Sequence, residues 1–224
     1  MALPTSTIPI TSGAGTITAA ELVSSKYYGT PMLAGPAGHV LGTRPSFIII
    51  VPPVAGTVAT ANKVHFDMFN AAGSGNTVEV HGIYANINTD VAMAQALGLR
   101  LDIFRTSTVG TGGTAIGNEQ TSVTNTISAI DPADVGGLPA QITARVAPTG
   151  GATIQAFIGQ TYLTTEEVST NFNYFTQWQN LVRYEQMEDV DNLTLPEGYG
   201  LKIIQGPVVV SSPNLGFRVV FTLR

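Results

Sequence analysis

The sequence predicts an all-β protein: a two-sheet antiparallel sandwich, jelly-roll-like, with an extended N-terminal arm. Three observations favour this fold. Apolar residues recur with a period of two in several segments after residue 45, and 24 glycines and 13 prolines break the chain between segments. The sequence has no long stretch with the 3.6-residue period of a helix. Strands that are apolar on one side bury that side by packing two sheets face to face.

Residues 1–45 are predicted to form the arm, and residues 46–224 the sandwich domain. The first segment has little hydrophobic periodicity and contains five prolines, Pro45 included, although residues 18–23 could form a helical turn. Two interpretations stay open for it: a flexible leader, or an arm that orders by lying along a neighbouring subunit. The second interpretation nominates five apolar or aromatic partner-binding residues: Ile8, Ile10, Leu22, Tyr27 and Tyr28.

The first strand of the sandwich is predicted at residues 47–51, an apolar run between Pro45 and Pro52. Residues 63–69 and 77–84 alternate on either side of the loop Gly73-Ser74-Gly75-Asn76, which is typical of a β-hairpin. Three later segments alternate in the same way: 97–103, 152–164 and 197–224.

Long connections are predicted over residues 107–151 and 166–192, and they suit a jelly roll better than a meander. Residues 90–96 are predicted as a short helix.

The charge content limits the partners. Charged residues make up 11% of the chain, and ten basic against fifteen acidic residues give a net charge of −5. The basic residues are scattered, so no nucleic-acid partner is expected. The longest apolar run is far shorter than the roughly 20 residues of a transmembrane helix, so no membrane partner is expected. Few charges with a mean hydropathy of +0.22 indicate a surface covered by other subunits.

The sequence offers little catalytic chemistry, and we expect neither an enzyme nor a cofactor. There is no cysteine for a thiol nucleophile or a zinc site. His65 and His81 are expected on the polar sides of the predicted hairpin, with Asp67 or Glu79 as a third metal ligand. The favoured interpretation is that both histidines simply face solvent.

Two further segments keep several interpretations open. The acidic run 185–197 suits a solvated loop, a subunit contact or a calcium site. The aromatic residues of segment 172–184 suit a connection folded over the sandwich edge, a protein contact or a platform for sugars. From this segment Phe172, Tyr174 and Trp178 are candidate partner-binding residues.

Residues 75–224 contain a series of short motifs, at 99–107, 112–115, 131–133, 143–152, 195–201 and 217–221. These motifs resemble those of a group of tailed-bacteriophage virion proteins. In that group a Pro-Gly-x-Gly-Leu turn opens the penultimate strand of a jelly roll; here Glu197 precedes Gly198, and Tyr199 fills the variable place.

The resemblance implies a capsid decoration or cement protein located on the capsid surface of a virion. It implies a homotrimer that binds the major capsid protein, and it brings no catalytic residue. Two alternatives remain: a receptor- or glycan-binding spike or fibre head, and a tail or neck adaptor.

Overall fold

The structure is a computed structural model. It describes residues 22–23, 26–27, 44–53, 61–89, 97–121, 124–165, 174–175, 178–183, 193–207 and 214–224. The chain divides into two units, Met1–Arg44 and Pro45–Arg224. In the first, strand β1 (Leu22–Val23) pairs antiparallel with β2 (Lys26–Tyr27). The end of the suggested helical turn, Leu22–Val23, is therefore strand.

The second unit is built from strands, with one 3₁₀ turn at Pro132–Asp134 as the helical element of its described part. The strands are β3 (Ser46–Val51), β4 (Val64–Asn70), β5 (Val78–Thr89), β6 (Leu97–Thr106), β7 (Thr114–Ala115), β8 (Gly117–Asn118), β9 (Thr126–Ala129), β10 (Ile142–Val146), β11 (Ile154–Thr165), β12 (Tyr174–Phe175), β13 (Gln179–Arg183), β14 (Leu193–Leu195), β15 (Tyr199–Gln205) and β16 (Asn214–Leu223).

These strands form two sheets. A six-stranded sheet has the order β11-β6-β15-β4-β10-β7, and an eight-stranded sheet has the order β12-β5-β16-β3-β9-β8, with β13 and β14 also paired to β5. The chain passes repeatedly from one sheet to the other. The last strand of each sheet in sequence, β15 or β16, lies between two strands formed much earlier. This interleaving is the connectivity of a jelly roll, and the predicted fold class is confirmed.

The core lies between the two sheets and comes from the alternating apolar positions. In β6 the buried apolar residues are Leu99, Leu101 and Ile103, on the face that the sequence predicts. In β16 the predicted face is also buried: Phe217, Val219, Phe221 and Leu223. Strand β3 contributes Phe47, Ile49 and Val51, which confirms the predicted buried strand.

The predicted hairpin around residues 73–76 is wrong. Strand β4 belongs to the six-stranded sheet and β5 to the eight-stranded sheet, so the loop between them crosses from one sheet to the other. The Asn70 amide nitrogen holds this crossing by donating to the carbonyls of Asn76 (2.8 Å) and Leu195 (3.0 Å). The same Gly and Asn residues that close a hairpin also suit a corner, because both need positive φ, here at Gly73 and Gly75.

The predicted long connection over residues 107–151 is also more structured than expected. It supplies β10 to the six-stranded sheet and β9 to the eight-stranded sheet. The predicted helix at residues 90–96 lies outside the described residues.

Candidate functional site

The outer face of the eight-stranded sheet carries an arginine whose guanidinium lies over two aromatic rings. The guanidinium carbon of Arg218 lies 4.9 Å from the ring centre of Tyr84 and 5.5 Å from that of Trp178. Arg218 and Tyr84 are direct cross-strand partners on β16 and β5, and Trp178 immediately precedes β13, which pairs with the other edge of β5. All three side chains are half-buried. We call this group the arginine stack.

A glycine lets the Tyr84 ring lie along its own strand. Gly82 is two residues earlier on the same face, and a Cβ built there would meet the Tyr84 ring at 2.7 Å. The absent side chain therefore leaves the space in which the ring lies, with one of its faces toward Arg218.

Asparagine side chains lie on the same face of the sheet, next to the arginine stack. Asn86 is buried, and its Oδ1 has no hydrogen-bond partner among the described residues. A Cβ built on its cross-strand neighbour Gly216 would collide with that oxygen, so Asn86 lies across the glycine. The Oδ1 atoms of Asn88 and Asn180 are also buried, again with no partner in the described part of the chain. Three buried amide oxygens without a donor therefore lie on this sheet beside the arginine stack.

Of the partner-binding residues nominated from the sequence, only Trp178 has a described side chain, and it belongs to the arginine stack. Tyr174 is placed by its backbone, opposite Thr89 at an edge of β5. Leu22 and Tyr27 face each other across β1 and β2. The remaining four, Ile8, Ile10, Tyr28 and Phe172, lie outside the described residues.

The outer face of the six-stranded sheet carries a row of buried charges. Asp67 on β4 lies between Lys202 on β15 and Arg145 on β10 in the strand register. Asp67 is 1% exposed and Lys202 is 5% exposed. A charge this deeply buried needs polar partners, because desolvation otherwise costs several kcal/mol.

Two loops supply those partners: residues 107–113, which follow β6, and residues 147–153, which precede β11. The Gly110 amide donates to Asp67 (3.2 Å), the Lys202 ammonium donates to the Ala152 carbonyl (2.7 Å), and Arg145 donates to the Gly112 carbonyl (3.2 Å). The loops also bond to each other through Thr111 and Gly150. The hydrogen bonds of these charged side chains therefore hold both loops against the sheet.

Burial also shifts the pKa values of Asp67 and Lys202. Desolvation raises the pKa of Asp67 to about 6, against the opposing effects of the Gly110 hydrogen bond and the charges of Lys202 and Arg145. Desolvation lowers the pKa of Lys202. A shifted carboxyl is one signature of a catalytic acid. Here a loop covers the Asp67 carboxyl, and the contact that the carboxyl makes holds this loop to the sheet.

The histidine pair predicted from the sequence does not form. His65 lies in the six-stranded sheet and His81 in the eight-stranded sheet. His65 sits at a bulge, because Val64 and Phe66 pair with the consecutive residues Ile204 and Ile203. Within the described ranges, no group of three or more candidate ligand side chains could hold a metal ion.

The bulge explains why the expectation of a solvent-facing His65 is wrong. The rings of His65 and Phe66 lie 6.0 and 6.4 Å from Phe217 of the opposite sheet, so both consecutive residues point inward. The His65 Nε2 lies 3.1 Å from Gln205 Oε1. Desolvation lowers the pKa of His65 to about 4. His81 is half-buried, with its Nε2 2.9 Å from the Thr222 hydroxyl.

The acidic run 185–197 is described only at its end. Glu197 accepts hydrogen bonds from the Gly75 amide (2.6 Å) and the Ser74 hydroxyl (3.4 Å), so it braces the crossing loop. Hydrogen bonds from backbone amides hold the pKa of Glu197 below its usual value.

Strand β11 forms one edge of the six-stranded sheet and carries exposed apolar side chains. Ile154, Phe157 and Tyr162 are 47%, 58% and 54% exposed. Phe157 packs edge-on against Phe104 of β6, with ring centres 5.5 Å apart. None of the 12 residues of β11 is charged. We call Ile154, Phe157, Tyr162 and Phe104 the edge patch.

Comparisons of the chain with family models, with curated proteins and with solved structures give no match. Among the described residues, no helix is long and apolar enough to cross a bilayer.

Proposed function

We propose that this protein is a structural subunit of a phage virion. It decorates the capsid, binds the shell of major capsid protein and stabilises it as a homotrimer. The edge patch is the observation that carries the proposal. The sequence resemblance to virion proteins and the low charge content agree with it.

The edge patch has the properties of a subunit contact. An edge strand presents unpaired backbone groups, and monomeric proteins usually protect such an edge with charges, prolines or a short length. Strand β11 has a length of 12 residues and has neither a charge nor a proline, and its one protective feature is a pair of irregularities in its pairing with β6. Large exposed aromatic side chains favour association. A contact between this edge and a different surface of the next copy closes into a ring under threefold symmetry.

The first test is the mass of the protein in solution by light scattering. We expect three times 23.4 kDa for the wild type. The Phe157→Glu variant should fall to the monomer mass, because it places an unpaired charge in the contact. The matched control is Ile130→Glu, since Ile130 is an exposed apolar residue (52%) outside β11 and should leave the trimer intact.

A wild-type monomer, or a trimer that survives Phe157→Glu, would contradict the role of the edge patch. The second measurement is co-sedimentation with shells assembled from the major capsid protein of the same virus. A trimer that binds shells supports the decoration role. A six- or twelvefold ring that ignores shells would overturn it in favour of a tail or neck adaptor.

A further inference from the structure

We propose that the outer face of the eight-stranded sheet binds an acidic saccharide, held by the arginine stack and the neighbouring asparagines. This site lies on the opposite sheet from the edge patch, and the proposal does not depend on the decoration role.

The arginine stack supplies the flat surfaces that sugars need. Aromatic rings present rigid apolar faces against which the C–H side of a pyranose packs. Tyr84 on β5 and Trp178 beside β13 supply such rings, and the Arg218 guanidinium lies over both, so a pyranose would pack against the parts of the rings that Arg218 leaves uncovered. Gly82 leaves the space in which the Tyr84 ring lies, so the rings and the guanidinium are already assembled without a ligand.

The charge of Arg218 favours an acidic sugar over a neutral one. In the described part of the chain, no carboxylate pairs with Arg218, and its buried Nε has no acceptor. Arginine binds carboxylates through parallel hydrogen bonds in one plane. A saccharide carboxylate would supply both the missing acceptor and the missing charge.

The asparagines favour a ligand rich in hydroxyl groups. A buried amide oxygen without a donor carries a desolvation cost until it accepts a hydrogen bond. Asn86 is more than nine-tenths buried, and its Oδ1 lies over Gly216, next to the strand position of Arg218. Asn88 and Asn180 add two more unpartnered oxygens on the same sheet. Sugar hydroxyls are donors that could satisfy all three.

The experiment uses the single tryptophan of the chain as its reporter. Trp178 is the only tryptophan, so fluorescence excited selectively in tryptophan, and not in the seven tyrosines, reports on this site alone. The full-length protein is titrated to millimolar concentrations with galacturonate trisaccharide, sialyllactose and hyaluronan tetrasaccharide. Lactose serves as the neutral probe and sodium acetate as the charge-only probe. We expect at least one acidic saccharide to change the fluorescence with saturation, while lactose and acetate do not.

Two variants test the assignment of residues. Arg218→Gln should weaken binding of the acidic saccharide roughly 10- to 100-fold, since a charge-assisted hydrogen bond is lost. Gly82→Ala should weaken it as well, because the new methyl group displaces the Tyr84 ring while the backbone still permits alanine. The matched control is Arg105→Gln, because Arg105 also lies over an aromatic ring, that of Tyr199, but in the six-stranded sheet.

Each outcome bears on the proposal. No response to any of the three acidic saccharides overturns it, and so does an equal response to lactose or acetate. Equal weakening by Arg105→Gln and Arg218→Gln would also overturn the site, because the loss would then not be local. Circular dichroism of each variant shows whether the fold is intact, and Gly82→Ala keeps the residue assignment testable if Arg218→Gln does not fold.

Discussion

Between pH 7 and pH 4, the free energy of unfolding of the Asp67→Asn variant is expected to fall by about 3 kcal/mol relative to its value at pH 7. The contributions of Asp67 and His65 to the wild type should nearly cancel over the same range. These two residues of strand β4 are both buried, and burial shifts their pKa values in opposite directions.

For His65, the folded-state pKa of about 4 lies below the ordinary value of 6.5. In this pH range His65 is protonated in the unfolded chain but neutral in the folded protein. The free energy of unfolding therefore decreases as the pH falls from about 6.5 toward 4. The loss amounts to about 3 kcal/mol by pH 4.

For Asp67, the folded-state pKa of about 6 lies above the ordinary value of 3.8. The folded protein takes up its proton first, so stability is gained as the pH falls from about 6 toward 4. The gain is about 2 kcal/mol by pH 4. Replacing Asp67 by asparagine removes this gain and leaves the loss from His65 uncompensated.

Urea unfolding at pH 4, 5, 6 and 7 measures these slopes, and the comparison is between variant and wild type. The complementary variant His65→Gln should become more stable than its own pH 7 value on acidification. Parallel curves for Asp67→Asn and wild type would show that the burial of Asp67 does not shift its titration.

Phe217→Ala is expected to lower the free energy of unfolding by about 3–5 kcal/mol, because it opens a cavity in the centre of the sandwich. Phe217 is fully buried on β16, and its ring contacts those of His65 and Phe66 from the opposite sheet. Chemical denaturation of the purified protein measures the change.

The matched control is Phe157→Ala, the same substitution in the edge patch. Phe157 is mostly exposed in the single chain, so its contribution to the stability of the monomer is small. The comparison is made at concentrations where the protein is monomeric. Similar losses for both variants would mean that the Phe157 side chain packs into the fold of the single chain, and would count against the edge patch as a subunit contact.

The alternating segments were predictable because each strand keeps one face toward the core. Leu99, Leu101 and Ile103 show this, and so do the alternate residues of β16. The pattern does not reveal what covers the other face. His65 was expected to face solvent, with Asp67 available beside it as a metal ligand, yet a bulge turns His65 inward and the 107–113 loop covers Asp67.

The pairing of strands depends on contacts far apart in sequence, which local patterns do not encode. The loop at residues 73–76 has the same composition whether it closes a hairpin or crosses between sheets, and the crossing is held by Leu195 and Glu197. In the arginine stack, the aromatic segment identified Trp178. Tyr84 and Arg218 join it only through the register of β5 and β16.

The position of β16 has a consequence for how the protein is made. This strand lies between β3 and β5, and both of them leave the ribosome more than a hundred residues earlier. Until residues 214–223 are synthesised, β3 and β5 lack their shared partner, and the backbone edges that pair with β16 stay unpaired. The sandwich therefore closes only after β16 has been translated. Nascent chains that do not yet contain β16 are the ones that a chaperone would bind.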